Sequence, residues 1–378
     1  MKLHYVSGSR ADFGLMEKCL KHLHAQPDME IACVLTGQHV NEKYAAGRED
    51  ILASGLNIAC EVPVTLTGQD GAEMGAALAH ELLGFLTAWQ HDRPDLILVL
   101  GDRGEMLAAA LAAVHLGIPV GHIHGGERSG TLDESFRHAI SKLAHVHFPA
   151  TDEAHERLIR MGEQPDNIWT IGAPGLVGLT EGVKHSPALA DTHNLTATGA
   201  SVIVVFHPVV QEAAQAGAQI QILLGFLSET SCHGIILRPN SDAGGAEIDA
   251  ALQKFSSNPN TSDRFAILEH LPRDRYLESL KAADIMIGNS SSGIIESASF
   301  DLACLNLGTR QNNRLRNDNT VDCPTLSPEK IKASYNAAIT MKGPFVNLYG
   351  DGKTDRRLVK ILQELTLDPS ILAKCNSY

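Results

Sequence analysis

The stretch from Asp95 to Arg137 constrains the fold more than any other part of the chain. Two short apolar runs within it, Leu96–Leu100 and Ile118–Ile123, are rich in Val, Ile and Leu, as strands are when a parallel sheet buries both of their faces. Between them, the Ala-rich segment 104–116 has the length of a helix. The stretch therefore predicts a strand–helix–strand unit with a right-handed crossover.

Polar residues follow both of these predicted strands. Asp102 comes after the first strand and His124 after the second, and Asp133 and Glu134 lie a few residues further along. In open α/β sheets, ligands bind outside the carboxyl ends of the strands, so we expect these side chains to meet at one place. Three carboxylates and an imidazole can transfer protons near neutral pH. We therefore interpret all four as candidate catalytic residues.

Strand and helix patterns alternate along the rest of the chain, which predicts the α/β class. Among the predicted elements are a polar turn at 8–12 before a helix at 13–23, a helix whose N-cap is Asp133, and a strand at 168–171. The pattern breaks at Gly172-Ala173-Pro174-Gly175 and restarts near residue 201, where a helix is predicted at 211–228. We expect four segments: a first domain at 1–175, a linker at 176–200, a second domain at 201–350, and a C-terminal helix and tail at 351–378.

Size and charge limit the classes of function. A chain of 378 residues suggests two or three domains. Its net charge of −13 disfavours a nucleic acid or an anionic membrane as the main partner, because both require a basic surface. No apolar run has the length of a membrane span, and residues 1–6 read as a strand rather than a signal peptide, so we expect a cytoplasmic protein. Seven scattered cysteines without a Cys-x-x-Cys pair indicate reduced core thiols, with no metal site.

A second polar stretch, Gly288-Asn289-Ser290-Ser291-Ser292-Gly293, joins a predicted strand to a predicted helix. Small residues let the backbone approach a ligand, and the N-terminus of a helix offers unpaired N–H groups to an anion. The loop suits a diphosphate, although it lacks the Gly-Lys-[Ser/Thr] ending of a Walker loop. Glu296, one turn into the helix, could accept hydrogen bonds from two ribose hydroxyls. The alternative is a well-capped helix with Glu296 in its first turn.

Cations and histidines at other predicted strand ends are candidate substrate-binding residues. Arg10 could donate two hydrogen bonds to a phosphate or form a turn contact with Asp12. Arg103 could pair with Asp102 or bind a phosphate. A single histidine at such a position is more often structural, but several cations and histidines together favour an anionic ligand. With Ser290, Ser291 and Glu296 from the loop, the candidates are Arg10, Arg103, His207, Arg238, His270 and Arg310.

Six runs of residues, in this order and spacing, resemble the UDP-N-acetylglucosamine 2-epimerase family. They most resemble its hydrolysing branch, whose members supply sialic acid and legionaminic acid synthesis. The resemblance covers nearly the whole chain and is weakest at 176–200 and at the carboxyl end. The runs are Gly8-Ser9-Arg10-Ala11-Asp12-Phe13, Leu100-Gly101-Asp102-Arg103, Gly121-His122-Ile123-His124-Gly125-Gly126-Glu127, Asp133-Glu134 with Arg137-His138-Ala139-Ile140-Ser141-Lys142, Ile287-Gly288-Asn289-Ser290-Ser291, and Asn306-Leu307-Gly308-Thr309-Arg310.

The resemblance implies the GT-B fold, in which two Rossmann-like domains have parallel sheets facing a central cleft that holds a nucleotide sugar. It implies that Ser290, Ser291 and Glu296 bind diphosphate and ribose. It places Arg10, His207 and Arg310 near the phosphates, and Asp102, Asp133 and Glu134 at the sugar. It also implies a homodimer through the first domain, and the reaction calls for no cofactor.

One position departs from the family pattern. Some members have Glu where this chain has His124. An imidazole can also transfer protons near neutral pH, so acid–base catalysis is still possible with His at this position. The residue that removes the proton from C2 of the sugar stays open.

The resemblance implies elimination of UDP from the sugar to leave a glycal, followed by hydration. We expect UDP-N-acetylglucosamine and water to give N-acetylmannosamine and UDP. One alternative is the same reaction on UDP-N,N'-diacetylbacillosamine, a 2,4-diacetamido-trideoxyhexose nucleotide. The others are a non-hydrolysing epimerase that returns the nucleotide sugar, a GT-B glycosyltransferase that needs an acceptor, and a protein that only binds the nucleotide.

Overall fold

The computed structural model describes residues 1–41, 46–65, 71–129, 132–181, 183, 187–239, 243–269 and 271–377. Strands and helices alternate through these ranges. In chain order they are β1 Lys2–Ser7, α1 Arg10–His24, β2 Glu30–Leu35, α2 Ala46–Ala53, β3 Asn57–Glu61, α3 Gly71–His91, β4 Leu96–Leu100, α4 Gly104–His115, β5 Val120–Ile123, α5 Leu132–Leu143, β6 Val146–Phe148, α6 Asp152–Arg160, α7 Leu189–His193, β7 Ala200–Val205, α8 Ala216–Glu229, β8 Cys232–Leu237, α9 Gly245–Ser256, β9 Phe265–Leu268, α10 Arg273–Ala282, β10 Ile285–Gly288, α11 Ser291–Ile295, β11 Ala303–Leu307, β12 Thr320–Cys323, α12 Pro328–Ala338 and α13 Thr354–Glu364.

The chain forms two compact units, each built on one parallel sheet. The first unit comprises Met1–Glu127, Leu132–Gly178 and Tyr349–Tyr378, and the second comprises Arg128–Thr131 and Leu179–Leu348. Each unit has a six-stranded sheet in which every strand pair is parallel. The predicted α/β class with two parallel sheets is therefore confirmed.

The first sheet has the strand order β3-β2-β1-β4-β5-β6. Strand order reverses between β1 and β4, and in open α/β sheets ligands bind beyond the carboxyl ends of the strands at such a reversal. Alternate side chains of β4 enter different cores: Leu96, Leu98 and Leu100 pack on the side of α1 and α13, and Ile97 and Val99 on the side of α3 and α4. Burial of both faces explains why the β4 sequence is continuously apolar.

The second sheet has the order β12-β11-β10-β7-β8-β9, so its reversal lies between β7 and β10. These two strands approach closely at Gly288, which has a φ of 139°. A Cβ at this position would collide with the backbone oxygen of Val205 on β7. Glycine at the end of β10 therefore permits the contact that brings residues 206–207 and 289–290 together.

Several predicted boundaries are wrong for local reasons. Helix α1 begins at Arg10 rather than at residue 13, because Ser9 and Asp12 form a reciprocal capping box. Asp133 lies inside α5 and is not its N-cap. The predicted helix at 211–228 begins as a 3-10 helix at Val210–Gln215. Residues 168–171 form no strand, because Ile168 makes only one isolated bridge, to His147.

Five elements were not predicted from the sequence: α7, α9, α10, α12 and the edge strand β12. The C-terminal helix α13 packs against α1 in the first unit. Among the described helices, none is long and apolar enough to cross a membrane. The seven cysteines form no disulfide, and Cys375 is exposed rather than in a core.

Candidate active site

Asp102 follows β4 and forms an ion pair with Arg137 of α5. The Arg137 side chain is only 2% exposed, and its Nη1 also donates to the backbone oxygen of Glu127 at 3.1 Å. Arg103, for which the sequence left open a pair with Asp102 or a role in phosphate binding, donates from Nε to Glu105 at 2.5 Å. Arg137 thus fixes the carboxylate after β4 to the turn after β5.

The turn after β5 holds His124 beside Glu127. Leu100 of β4 pairs with Ile123 of β5, so Asp102 and His124 lie just beyond the ends of two adjacent strands. His124 has a φ of 61°, a left-handed conformation that is uncommon for residues with a side chain. In this conformation, its Nδ1 lies 2.7 Å from Glu127 Oε1. The turn therefore brings an imidazole and a buried carboxylate into direct contact.

His122 lies on β5, two residues before His124, and its buried ring connects the end of β4 to α5. Burial lowers the pKa of His122 to about 3, so its ring is neutral at pH 7. Its Nε2 must carry the proton, because it lies 2.7 Å from the backbone oxygen of Gly101, which can only accept. Its Nδ1 can then accept from the Ser141 hydroxyl at 3.0 Å. His122 thus links the residue before Asp102 to α5.

Asp133 and Glu134 lie in the first turn of α5. The Asp133 side chain is exposed and Glu134 is partly buried. Glu134 Oε1 lies 3.7 Å from Nε2 of His138, four residues along the helix. Asp133 is also four residues before Arg137, so these positions share one face of α5. One helix therefore carries two predicted carboxylates and the partner of Asp102.

Arg10 is not paired with Asp12. Its Nε donates to Asp50 of α2 at 2.7 Å, and the side chain is 47% exposed. Asp12 instead accepts from the backbone N–H groups of Gly8 and Ser9 at 3.0 and 2.7 Å. Burial raises the pKa of Asp12 to about 6, although hydrogen bonds from nearby hydroxyls oppose this. Arg10 therefore stands at the start of α1, just beyond the carboxyl end of β1.

In the second unit, two predicted residues, His207 and Arg310, meet Asn289 at the β7/β10 reversal. Buried Asn289 accepts from the backbone N–H of His207 and donates to its carbonyl, both at 2.7 Å. Arg310 Nη1 donates to the backbone oxygen of Asn289 at 3.2 Å. Burial, with the positive charge of Arg310 adding to it, lowers the pKa of His207 to about 3. A neutral imidazole and a guanidinium therefore lie together at this strand end.

The loop after β10 caps a short helix. Ser290 is the N-cap of α11, and its side chain accepts from the Ser292 N–H at 3.3 Å. Ser291 is the first residue of this helix. The prediction that Glu296 lies in the first turn is wrong, because α11 ends at Ile295.

Arg273 holds the Glu296 carboxylate. Its two terminal nitrogens donate to Oε1 at 2.8 Å and to Oε2 at 3.1 Å. Ser292 Oγ donates to Oε2 at 2.7 Å and itself accepts from the Tyr276 hydroxyl at 2.6 Å. Glu296 is therefore an oriented, buried acceptor.

The other two candidates do not join these clusters. Arg238 follows β8 and forms an ion pair with Asp249 of α9, while its buried Nε has no hydrogen-bond partner among the residues that the structure describes. His270 lies outside the described residues. Within the described ranges, no group of three or more His, Cys, Asp or Glu side chains is placed to hold a metal ion.

Sequence reasoning did not assign roles to Glu127, Arg137 or Arg273. Two signals could have found the first two: Glu127 is three residues after His124, and Arg137 is one helical turn after Asp133. No local signal points to Arg273, because its partner is 23 residues away.

Comparisons with known proteins agree with this architecture. A sequence profile of the UDP-N-acetylglucosamine 2-epimerase family matches residues 21–363. The chain is 42% identical to the UDP-N,N'-diacetylbacillosamine 2-epimerase (hydrolyzing) of Legionella pneumophila, covering 100% of this chain and 99% of that protein. It is 33% identical to a UDP-N-acetylglucosamine 2-epimerase of Neisseria meningitidis, covering 82% and 80% of the two chains.

A solved structure of a UDP-GlcNAc 2-epimerase from Neisseria meningitidis, bound to UDP-GlcNAc, has the same GT-B fold. It superposes with a TM-score of 0.80 at 16% identity, covering 97% of this chain and 100% of the other. Together with the profile match over most of the chain and the full-length similarity to curated 2-epimerases, this shows that the chain belongs to the UDP-N-acetylglucosamine 2-epimerase family.

Proposed function

We propose that this enzyme is a hydrolysing 2-epimerase whose substrate is UDP-N,N'-diacetylbacillosamine. It would convert this nucleotide sugar and water to UDP and the free sugar with inverted configuration at C2. The observation that carries the proposal is the 42% identity, over the whole chain, to a relative named for that hydrolysing reaction. UDP-N-acetylglucosamine, the first expectation from the sequence, becomes the second candidate, because the relative named for it is 33% identical.

The first unit would supply the acid and base groups. The reaction needs one group to remove the C2 proton and another to return a proton on the opposite face. Asp102 forms an ion pair with Arg137, and His124 lies at the end of the adjacent strand. Asp133 and Glu134 would complete the set from α5. A carboxylate, an imidazole and two further carboxylates provide both proton acceptors and proton donors near neutral pH.

The second unit would hold the leaving UDP. As C1–O bond cleavage proceeds, negative charge grows on the diphosphate, and fixed donors stabilise it. Arg310 and the hydroxyls of Ser290 and Ser291 are the proposed donors. Glu296 would accept hydrogen bonds from ribose hydroxyls, because Arg273 already fixes its orientation.

The test is to incubate the purified enzyme with each nucleotide sugar in D₂O and, separately, in H₂¹⁸O. We expect free UDP, deuterium at C2 of the sugar, and ¹⁸O on C1 of the sugar but not on UDP. Faster turnover of the diacetylated substrate would support the proposed substrate, and faster turnover of UDP-N-acetylglucosamine would overturn it. Return of an epimerised nucleotide sugar without free UDP would identify the non-hydrolysing reaction. Absence of turnover without an acceptor sugar would favour a glycosyltransferase.

Asp102→Asn tests the acid–base assignment. The amide keeps the shape of the side chain but removes its ability to take a proton, so we expect kcat to fall about 10²- to 10⁴-fold. Binding of UDP, measured by calorimetry, should stay within about twofold of the wild type, since affinity changes by tenfold for each 1.4 kcal/mol. Full activity of the variant would contradict the role of Asp102.

We also propose that the enzyme is a homodimer that associates through the first unit. The support is the family to which the chain belongs. Light scattering during size-exclusion chromatography should give twice the chain mass of 40.6 kDa. A mass of one chain at micromolar concentration would contradict the proposal.

A further inference from the structure

The contact between His124 and Glu127 determines which nitrogen of the imidazole can act as a base. Glu127 Oε1 lies 2.7 Å from His124 Nδ1, and an ionised carboxylate can only accept a hydrogen bond. The proton of a neutral His124 must therefore sit on Nδ1, which leaves the lone pair on Nε2. Within the described part of the chain, Nε2 makes no hydrogen bond, and the side chain is 15% exposed.

Backbone contacts on both sides hold the pair in place. The His124 N–H donates to the Phe148 carbonyl at 3.1 Å. The carbonyls of Gly126 and Glu127 accept from Arg157 at 2.6 Å and from Arg137 at 3.1 Å. Gly126 has a φ of 76°, and a Cβ there would lie 2.5 Å from the backbone oxygen of Ala154. The turn is thus fixed by contacts that do not depend on the pair itself.

We propose that Glu127 is a positioning residue that makes His124 Nε2 the group that transfers the proton at C2. This inference rests on the proposed function. It goes beyond that function because it gives Glu127 a role and His124 a defined tautomer. Arg137 extends the arrangement, since it contacts both the Glu127 backbone and the Asp102 carboxylate. Glu127 is 7% exposed, so it acts through the imidazole rather than on the substrate.

The proposed step moves the C2 proton to His124 and releases UDP from C1. His124 Nε2 takes the proton from C2, and the C2–H electron pair becomes the π bond between C1 and C2. The C1–O pair leaves with UDP. The imidazolium that forms carries one N–H toward Glu127 and one on Nε2, and the carboxylate stabilises its charge. Hydration of the glycal then adds OH at C1 and a proton at C2, and the imidazolium proton returns to solvent.

The test is the pH dependence of Glu127→Gln. The amide can still accept from Nδ1–H, but it lacks the negative charge that stabilises the imidazolium. We expect the acidic limb of the kcat/KM profile to move to lower pH by about one unit. We expect kcat to fall about 10²-fold, at the low end of the range for acid–base groups, with KM nearly unchanged. Glu127→Asp keeps the charge and should recover the wild-type limb.

Asp355→Asn is the matched control. Asp355 of α13 lies 2.8 Å from His22 Nδ1 of α1, so this variant removes the same kind of carboxylate partner from another histidine of the first unit. Its profile should match that of the wild type. The inference would be overturned if the acidic limb of the kcat/KM profile of Glu127→Gln stayed at the wild-type pH. This holds even where the melting temperature falls, because a loss of stability alone does not shift a pH profile.

A second measurement does not depend on turnover. ¹⁵N NMR of the histidine rings, assigned with a His124→Gln variant, reports which nitrogen of neutral His124 carries the proton. The expected result is the Nδ1–H form in the wild type, and the Nε2–H form would overturn the inference. Wild-type protein without any UDP release would instead refute the proposed function, and the NMR result would still decide the tautomer.

Discussion

Glu163, a buried carboxylate in the segment after α6, gives a prediction about stability. Glu163 is 1% exposed, and its oxygens lie 2.7 Å from Lys142 Nζ, 2.6 Å from Lys374 Nζ and 2.9 Å from His147 Nε2. Lys374 also donates to three backbone carbonyls at and just after the last turn of α5, at 2.5 to 3.1 Å. The C-terminal tail thus anchors the helix that carries the partner of Asp102. The perturbation is Glu163→Gln, which removes the charge at nearly constant volume.

The magnitude follows from the pKa of Glu163. Burial alone would raise this pKa, but hydrogen bonds from His147, Lys142 and Lys374 outweigh it and lower the pKa from 4.5 to about 2. At about 1.4 kcal/mol for each pKa unit, the ionised carboxylate contributes about 3 kcal/mol to folding at neutral pH. Because the folded-state pKa is the lower one, this contribution is present above the unfolded pKa of 4.5 and is lost as the pH falls through about 2.

Urea unfolding followed by tryptophan fluorescence measures this effect in the first unit alone. Both tryptophans of the chain, Trp89 and Trp169, belong to that unit. We expect Glu163→Gln to be less stable by about 3 kcal/mol at pH 7 and by only about 1.5 kcal/mol at pH 3.

The control variant is Glu364→Gln, which breaks a surface pair with Lys360 at 4.0 Å and should change stability by less than about 0.5 kcal/mol. The reasoning fails if Glu163→Gln behaves like this control, or if its effect is the same at both pH values.

Two further predictions concern the nucleotide site and the core. Arg273→Met removes both donors that orient Glu296, and we expect the Kd for UDP, measured by calorimetry, to rise about tenfold. Arg275→Met, which breaks an exposed pair on the same helix, should leave that Kd unchanged, and equal effects of the two variants would contradict the role of Arg273. Leu98→Ala, at a fully buried position of β4, should cost the first unit about 2–5 kcal/mol in urea unfolding. A loss below about 1 kcal/mol would mean that the two sides of the sheet are not packed as described.

Strands that are buried on both faces could be read from the sequence. The limits of β4 match the predicted ones at every residue, because a continuous apolar run between polar residues leaves little choice of boundary. Strand β12, with the sequence Thr-Val-Asp-Cys, was missed because an edge strand is only half-buried and needs no apolar run. Helix starts were missed where a side-chain cap, as at Ser9, rather than apolar spacing sets the first residue.

The sequence by itself determined the class of fold, the alternation of strands and helices, and the polar residues that follow the strands. These depend on local apolar patterns and on the rule that ligands bind at carboxyl ends. Only the tertiary structure decided which partner each charged group has. Arg137 reaches Asp102, and Arg273 reaches Glu296, across separations of 35 and 23 residues. The conformation of the turn at His124 also came only from the structure, because a left-handed residue depends on the contacts around it.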